Sequence, residues 1–435
     1  MRIKFINATI VTVRVLLSTM PKFDEFEIYE NGMLVVEDNI ITYAGKQGDY
    51  SIEKHGPFIE DGKAVSKIIK YLEDSDFDKI IDCQGNILMP GLINTHCHAA
   101  MSFLRGRAEG SDFNTWWYEQ VRPIEQTMTD ADYYKGVKIA AQEMMQNGIT
   151  TFFDVYMNYE QTIKAVSELG MRVGIGFGVI SDTDTTTMEK LEKELNFLKS
   201  QNNVYPLIYT HSVYSCDEHQ FGTLIQFAKK HNLVFCTHAS ETLKEVGECH
   251  NKYGVTPIGL LEKYGVFDVR CVLAHLVHCD IDDAEIMGRH DVTCSHNPSS
   301  NLKLACGIAP ITTYKKYGIN IALGTDGAAS NNSLNLFKEM YLAGMLQAGV
   351  LNDASAFTAQ ELIKMATING ARAYKINNLG ALQEGYLADI IMLDSSLPNM
   401  QPNNNVVSNI VYSAGPQNVI MTMIDGKIVY NPKNL

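Results

Sequence analysis

His96 and His98 stand two residues apart in Asn94-Thr-His-Cys-His-Ala99, directly after the apolar run Ile87–Ile93. Residues i and i+2 of a strand share a face, so this spacing offers two imidazoles side by side at a strand end. Neutral imidazole nitrogen is a good ligand for zinc and related divalent metals. Alone the pair is a weak signal; its company strengthens it. Other β-rich runs end in Thr210-His211-Ser212, Thr237-His238-Ala-Ser-Glu241, Ala274-His275-Leu-Val-His278, Ser295-His296-Asn297 and Gly324-Thr-Asp326-Gly327. Seven of the 12 histidines therefore fall at expected strand ends. Histidines scattered through a core or over a surface would not concentrate in this way.

The set suits hydrolysis. Three imidazoles (His96, His98, His238) and the carboxylate of Asp326 can hold one divalent metal, zinc first and Fe2+ as the alternative, with a position left for water. A water so held has its pKa lowered toward neutrality. Asp326 would take that water's proton, His275 would hydrogen-bond the water and direct it, and Glu241, a turn beyond His238, would shuttle a proton rather than bind metal.

The elements expected to position these groups alternate between strand and helix. Strand-like runs at Ile149–Val155, Arg172–Ile180, Tyr205–Thr210, Leu233–Thr237, Arg270–Ala274, Asp291–Ser295 and Ile319–Leu323 join the strand before His96. Helical stretches separate them, including Ala131–Asn147, Met188–Ser200, Phe221–His231 and Ser333–Met345. About eight βα units imply an α/β fold built on a TIM (β/α)8 barrel, whose active-site residues project from the C-terminal strand ends. The barrel is assigned to residues 90–379. Short β-rich pieces in 1–89 and 380–435 are expected to pair into one β-sandwich, with turns at Glu30-Asn31-Gly32 and a hairpin at Asp425-Gly426. Between Gly45 and Asp78 a charged stretch containing Lys67-Ile-Ile-Lys-Tyr-Leu72 is expected to be a helical insertion.

Composition bounds the function class. The 435 residues are 46% hydrophobic and 20% charged, an ordinary globular balance that excludes disorder. A net charge of -14 argues against a nucleic acid or an anionic membrane as partner. No secretory signal and no bilayer-length apolar run is evident, and nine cysteines without Cys-x-x-Cys pairing read as reduced packing residues in a cytoplasmic protein. Cys279 and Cys294 are read as packing rather than as soft metal ligands.

This layout resembles the amidohydrolase superfamily over essentially the whole chain, in its mononuclear deaminase branch. His211 stands where two-metal members usually carry a carboxylated lysine. Ser295-His-Asn-Pro-Ser-Ser-Asn-Leu-Lys-Leu-Ala-Cys-Gly-Ile-Ala-Pro310, Gly324-Thr-Asp-Gly-Ala-Ala-Ser-Asn-Asn-Ser333, Arg105-Gly106, Trp116 and Pro123-Ile124-Glu125 are similar to the 5-methylthioadenosine/S-adenosylhomocysteine deaminase family. The resemblance implies hydrolytic deamination of an adenosine-type nucleoside. It further implies that Glu125 binds the ribose hydroxyls, Trp116 packs beside the ribose or thioether end, His211 touches the nucleoside, and the protein is a homo-oligomer. Free-base (guanine) deamination, s-triazine chlorohydrolysis and a catalytically dead binding subunit stay as alternatives.

One position departs from the family. In an ungapped alignment Phe177 takes the place of an arginine suited to the carboxylate of S-adenosylhomocysteine, a pairing that contributes about 1.5–3 kcal/mol. This departure predicts a preference for neutral nucleosides, unless Arg105 or Arg172 supplies the missing charge.

Overall fold

Strand-forming β-branched and aromatic residues line up where the alternation predicts, and each run becomes a barrel strand. The computed structural model describes residues 1–16, 24–50, 57–60, 63–66, 74–110, 113 and 115–435. The barrel strands are β1 (Leu92–Cys97), β2 (Ile149–Asp154), β3 (Arg172–Val179), β4 (Val204–Thr210), β5 (Phe235–Ala239), β6 (Cys271–His275), β7 (Val292–His296) and β8 (Asn320–Leu323). They pair in parallel in that order. Helices between them, such as Asp130–Gln146, Glu218–His231 and Leu336–Leu351, bury apolar faces against the outside of the barrel.

The circle is completed by side-chain hydrogen bonds together with a backbone bond, rather than by a strand ladder. Between β8 and β1, Asn94 Nδ2 donates to Thr325 Oγ1 (2.7 Å), while Asn94 Oδ1 accepts from Thr325 N (2.9 Å). Thr95 Oγ1 donates to the Leu323 carbonyl at 2.8 Å, and Asp326 N donates to the His96 carbonyl at 3.0 Å.

Both chain ends build the accessory β unit. Its strands run in the order Lys427–Tyr430, Val419–Ile424, Ile390–Leu393, Ile87–Pro90, Arg2–Arg14, Glu25–Glu37 and Ile40–Lys46, with Lys79–Asp82 added beside Arg2–Arg14. Hydrogen bonds make this one continuous mixed sheet, and its strands share an apolar core that includes Phe5, Ile10, Leu34, Leu88, Ile390 and Met423. The Asp425-Gly426 hairpin forms, with both residues at positive φ and Ile424 paired to Lys427.

Two local expectations are corrected. Glu30-Asn31-Gly32 is not a turn between strands but an irregularity inside one strand, Glu25–Glu37. The pairing shifts register between Ala8↔Gly32 and Ile10↔Tyr29, and a Cβ on Gly32 would meet Ile10 at 2.8 Å, so the chain passes by bulging. Within the expected helical insertion, Pro57–Glu60 and Lys63–Ser66 pair as an antiparallel two-stranded sheet, while Lys67–Leu72 lies outside the described residues. No helix among the described residues is long and apolar enough to cross a membrane.

Candidate active site

The C-terminal strand ends converge as the barrel requires. β1 carries His96 and leads to His98, β5 carries His238, β6 ends at His275, and the chain leaving β8 presents Asp326. Ligand-capable atoms of His96, His98 and His238 lie within 4.8 Å of one another, as do those of His96, His275 and Asp326. Asp326 Oδ1 sits 3.5 Å from His96 Nε2 and 3.3 Å from His98 Nε2.

The donor set fits a divalent metal. His98 Nδ1–H donates to the Val155 carbonyl (3.1 Å) and His238 Nδ1–H to the His211 carbonyl (2.8 Å). Both rings are thereby fixed with Nε2 free, the usual arrangement behind a metal-binding imidazole. His96 Nε2 is buried with no hydrogen-bond partner among the described residues. Such an orphaned acceptor is costly unless a ligand satisfies it. Burial pushes His96, His98 (to about 4) and His238 below the usual imidazole range, which keeps them in the neutral, metal-binding form. Burial alone would raise Asp326, but the nearby imidazoles of His96, His98 and His275 outweigh it and hold the carboxyl well below its ordinary value.

Asp326 has a second constraint that its sequence neighbours did not advertise. Ser300 Oγ (2.6 Å) and Ser330 Oγ (2.7 Å) both donate to Oδ2, so Oδ1 alone faces the histidines. His275 Nδ1–H donates to Asn301 Oδ1 at 2.8 Å, leaving Nε2 as its other nitrogen. Ser300 and Asn301 lie inside the run Ser295–Pro310, which therefore held more than one functional position.

Glu241 lies 3.7 Å from His275 Nδ1 through Oε1. Burial pushes its carboxyl up to about 7 against the opposing pull of His275, and the nearby Asp326 charge raises it further. His275 is raised in turn, because the charges of Glu241 and Asp326 overcome the lowering by burial. A carboxyl poised near neutrality is suited to handing over a proton. Glu245 anchors the turn that carries it, accepting from Ser240 N (3.0 Å) and Glu241 N (2.7 Å).

These groups open into a cavity of about 560 Å³ lined by His98, His211, His238, Glu241, His275 and Asp326 at its polar end. Trp116, Trp117, Tyr118, Tyr133 and Tyr156 supply aromatic walls, and Glu125 also lines it. Glu125 is 7% exposed and accepts a hydrogen bond from the Tyr156 hydroxyl; burial raises its carboxyl above the usual range. Trp116 lies in the π-helical turn Thr115–Val121 that precedes Arg122–Glu125. His211 accepts or donates at Nδ1 with Ser215 Oγ (3.1 Å) while its carbonyl orients His238, a second role not visible in the sequence.

Not every expected residue reaches this cavity. Phe177 points to the outer layer, edge-on to Phe227 with ring centroids 6.2 Å apart, because odd positions of β3 face the helices. It therefore does not line the cavity or occupy a carboxylate subsite, and its identity gives no preference for neutral substrates. Arg172 is buried with Asp389 and Asp425, where β3 begins, and Arg105 pairs with Glu143. Of the strand-end histidines outside the site, His278 is tied to the Cys306 carbonyl (2.7 Å) and His296 is wholly buried. All nine cysteines are free thiols, and eight are buried, Cys294 among them.

Asp154, at the end of β2, was overlooked because nothing near it matches a motif. Its carboxylate accepts from Ala99 N (2.8 Å), the residue after His98, and from Thr162 Oγ1 (3.0 Å). Burial pushes it up to about 6. Asp154→Ala would leave two buried donors unsatisfied, at about 1–3 kcal/mol each. The expected result is a lower Tm together with reduced metal content after dialysis; unchanged metal retention would show that this carboxylate does not steady His98.

Residues 87–429 match the amidohydrolase family model. A 5-methylthioadenosine/S-adenosylhomocysteine deaminase of Caldicellulosiruptor saccharolyticus is 36% identical, over 92% of this chain and 93% of that protein. A 5'-deoxyadenosine deaminase of Methanosphaera stadtmanae is 38% identical, over 85% and 88% respectively. Among solved structures, a zinc-bound adenosine deaminase of Xanthomonas campestris superposes with a TM-score of 0.86 at 25% identity, covering 100% of this chain and 94% of that one.

Proposed function

The chain belongs to the amidohydrolase family and is an aminohydrolase; from that premise we propose that it is a zinc-dependent deaminase that converts an adenosine-type nucleoside to the inosine analogue and ammonia. The observation that carries this reading is one cavity joining the His96-His98-His238-Asp326 cluster, the neutral-range Glu241 and the buried carboxylate of Glu125. Bound by those four ligands, zinc would supply Lewis acidity that makes a neighbouring water a nucleophile at neutral pH.

The chain's own groups perform the rest. Glu241, protonated, gives its proton to ring N1 and so makes C6 electrophilic. Asp326 Oδ1 takes one proton from the attacking water as its oxygen bonds to C6. His275, fixed by Asn301, holds that water by a hydrogen bond and sets its line of approach. Asp326 then passes the proton to the amino group, the C6–N bond breaks and ammonia leaves. Loss of the remaining hydroxyl proton forms the C6 carbonyl and restores Glu241. Glu125 accepts hydrogen bonds from the ribose diol, and Trp116 covers the apolar part of the sugar and its 5′ substituent.

The test is ammonia release from zinc-loaded protein with methylthioadenosine, adenosine, guanine and a chlorotriazine in parallel. Turnover of the two nucleosides is expected, with Glu125→Ala lowering their kcat/KM by about 10- to 100-fold through loss of charge-assisted hydrogen bonds. Turnover confined to guanine or the chlorotriazine would overturn the nucleoside assignment.

A further inference from the structure

The helix Leu336–Leu351 directs a carboxylate at the two short helices that hold Asp326. Glu339 is wholly buried and does not line the active-site cavity. Its two oxygens grip different partners: Oε2 accepts from Ser299 N (3.0 Å) and Oε1 from Asn331 Nδ2 (2.9 Å). Ser299 precedes Ser300 in Pro298–Lys303, and Asn331 follows Ser330 in Ala328–Asn331. Each hydroxyl that donates to Asp326 Oδ2 thus stands one residue from a Glu339 contact. Both partners are neutral donors, and a buried carboxylate is costly to the fold. An uncharged side chain of similar volume would fill the space with less penalty, so this charge calls for a role beyond packing.

The backbone at Asp326 supplies an independent observation. Its φ of 59° lies in the left-handed region, which a residue other than glycine keeps only when its surroundings enforce it. Three hydrogen bonds do so. Asp326 N donates to the His96 carbonyl (3.0 Å), Thr325 Oγ1 donates to the Asp326 carbonyl (3.0 Å), and Asn331 Nδ2 donates to the Thr325 carbonyl (2.7 Å). The last comes from the same amide nitrogen that binds Glu339. Lys338 Nζ, donating to Asn331 Oδ1 at 3.2 Å, keeps that amide oriented.

We propose that Glu339 is a positioning residue for proton transfer: one carboxylate outside the cavity sets both serine donors and the strained backbone at Asp326, so that Oδ1 alone meets the water. The inference rests on the nucleoside-deaminase reading above. Glu339 touches no reacting atom and moves no proton. It fixes the rotation of the Asp326 side chain, whose Oδ1 must face first the water and then the leaving amine without turning away.

The experiment is a double-mutant cycle on zinc-loaded protein, read as steady-state ammonia release from methylthioadenosine with Tm recorded for every variant. Glu339→Gln keeps the shape but sets an amide N–H against a donor, so one of the two grips opens. It is expected to lower kcat by about 10- to 100-fold, the scale of a small misplacement of a reacting group, while KM moves less than about threefold. In a Ser300→Ala, Ser330→Ala background the same change should cost less than about threefold, because the hydroxyls through which Glu339 acts are already gone. Asn331→Ala cuts the path at its other end and should reproduce the loss in kcat; it decides the matter if Glu339→Gln does not fold. A loss independent of the two serines, or one confined to KM or Tm, would overturn the positioning role and leave Glu339 an ordinary structural carboxylate. A second readout needs no turnover. With cobalt(II) in place of zinc, the visible absorption of Glu339→Gln should differ from that of wild type as the Asp326 carboxylate shifts; an unchanged spectrum would also overturn the proposal. Wild type that binds metal but releases no ammonia would instead remove the deaminase reading, while the cobalt spectrum still reports on the grip.

Discussion

Glu241→Gln is expected to lower kcat for ammonia release by about 10²- to 10⁴-fold while KM changes only a few-fold. The substitution keeps size and shape, so the buried contacts around residue 241, including the thiol of Cys306 at 3.9 Å, persist. What is lost is the proton. Burial holds this carboxyl at about 7, which keeps a large neutral fraction at physiological pH; an amide cannot deliver a proton to a ring nitrogen. Because that delivery matters in the transition state and hardly in the ground state, the damage falls on kcat. Steady-state ammonia release, with Tm recorded alongside, checks it. A variant with native Tm and near-normal kcat would remove Glu241 from the chemistry and leave it a structural neighbour of His275.

Removing the metal should be at least as damaging. Chelation is expected to lower turnover by about a thousandfold or more, since several kcal/mol of charge stabilisation at the reacting oxygen disappear together, and added zinc should restore it. His238→Ala separates ligand loss from general harm. Its ring is fixed by the His211 carbonyl at 2.8 Å and is buried at the polar end of the cavity. The variant should bind less than one metal per chain by elemental analysis, and zinc should not rescue it. Stoichiometric metal with ordinary turnover in His238→Ala would exclude that imidazole as a ligand.

The barrel was legible because its strands and helices carry their own periodicities, and a barrel leaves few places for a strand-end histidine to go. His96, His98, His238, His275 and Asp326 converge for that reason. What sequence could not show were groups that act through another residue across long separations. Ser300 and Ser330 reach Asp326 from two different short helices, Pro298–Lys303 and Ala328–Asn331, and Tyr156 reaches Glu125 from just beyond the end of β2. A serine or tyrosine in an apolar run looks the same whether it bonds a catalytic carboxylate or a backbone carbonyl. Phe177 failed for a sharper reason: an ungapped alignment preserves position along the strand, yet one residue of offset moves a side chain to the opposite face. Glu30-Asn31-Gly32 misled because Asn-Gly serves equally in a turn and in a bulge, and only the partner strand decides between them.

The closure of the barrel has a consequence for how the protein holds together. β8 and β1 are joined by hydrogen bonds such as that between Asn94 and Thr325, 231 positions apart. His96 and His98 lie on one side of that seam and Asp326 on the other. A cation gripped from both sides would rivet the first and last staves of the barrel, so its binding energy is also folding energy. The same ion that activates water would thus govern the durability of the scaffold, and a metal-starved chain would loosen first along the line where its chemistry resides.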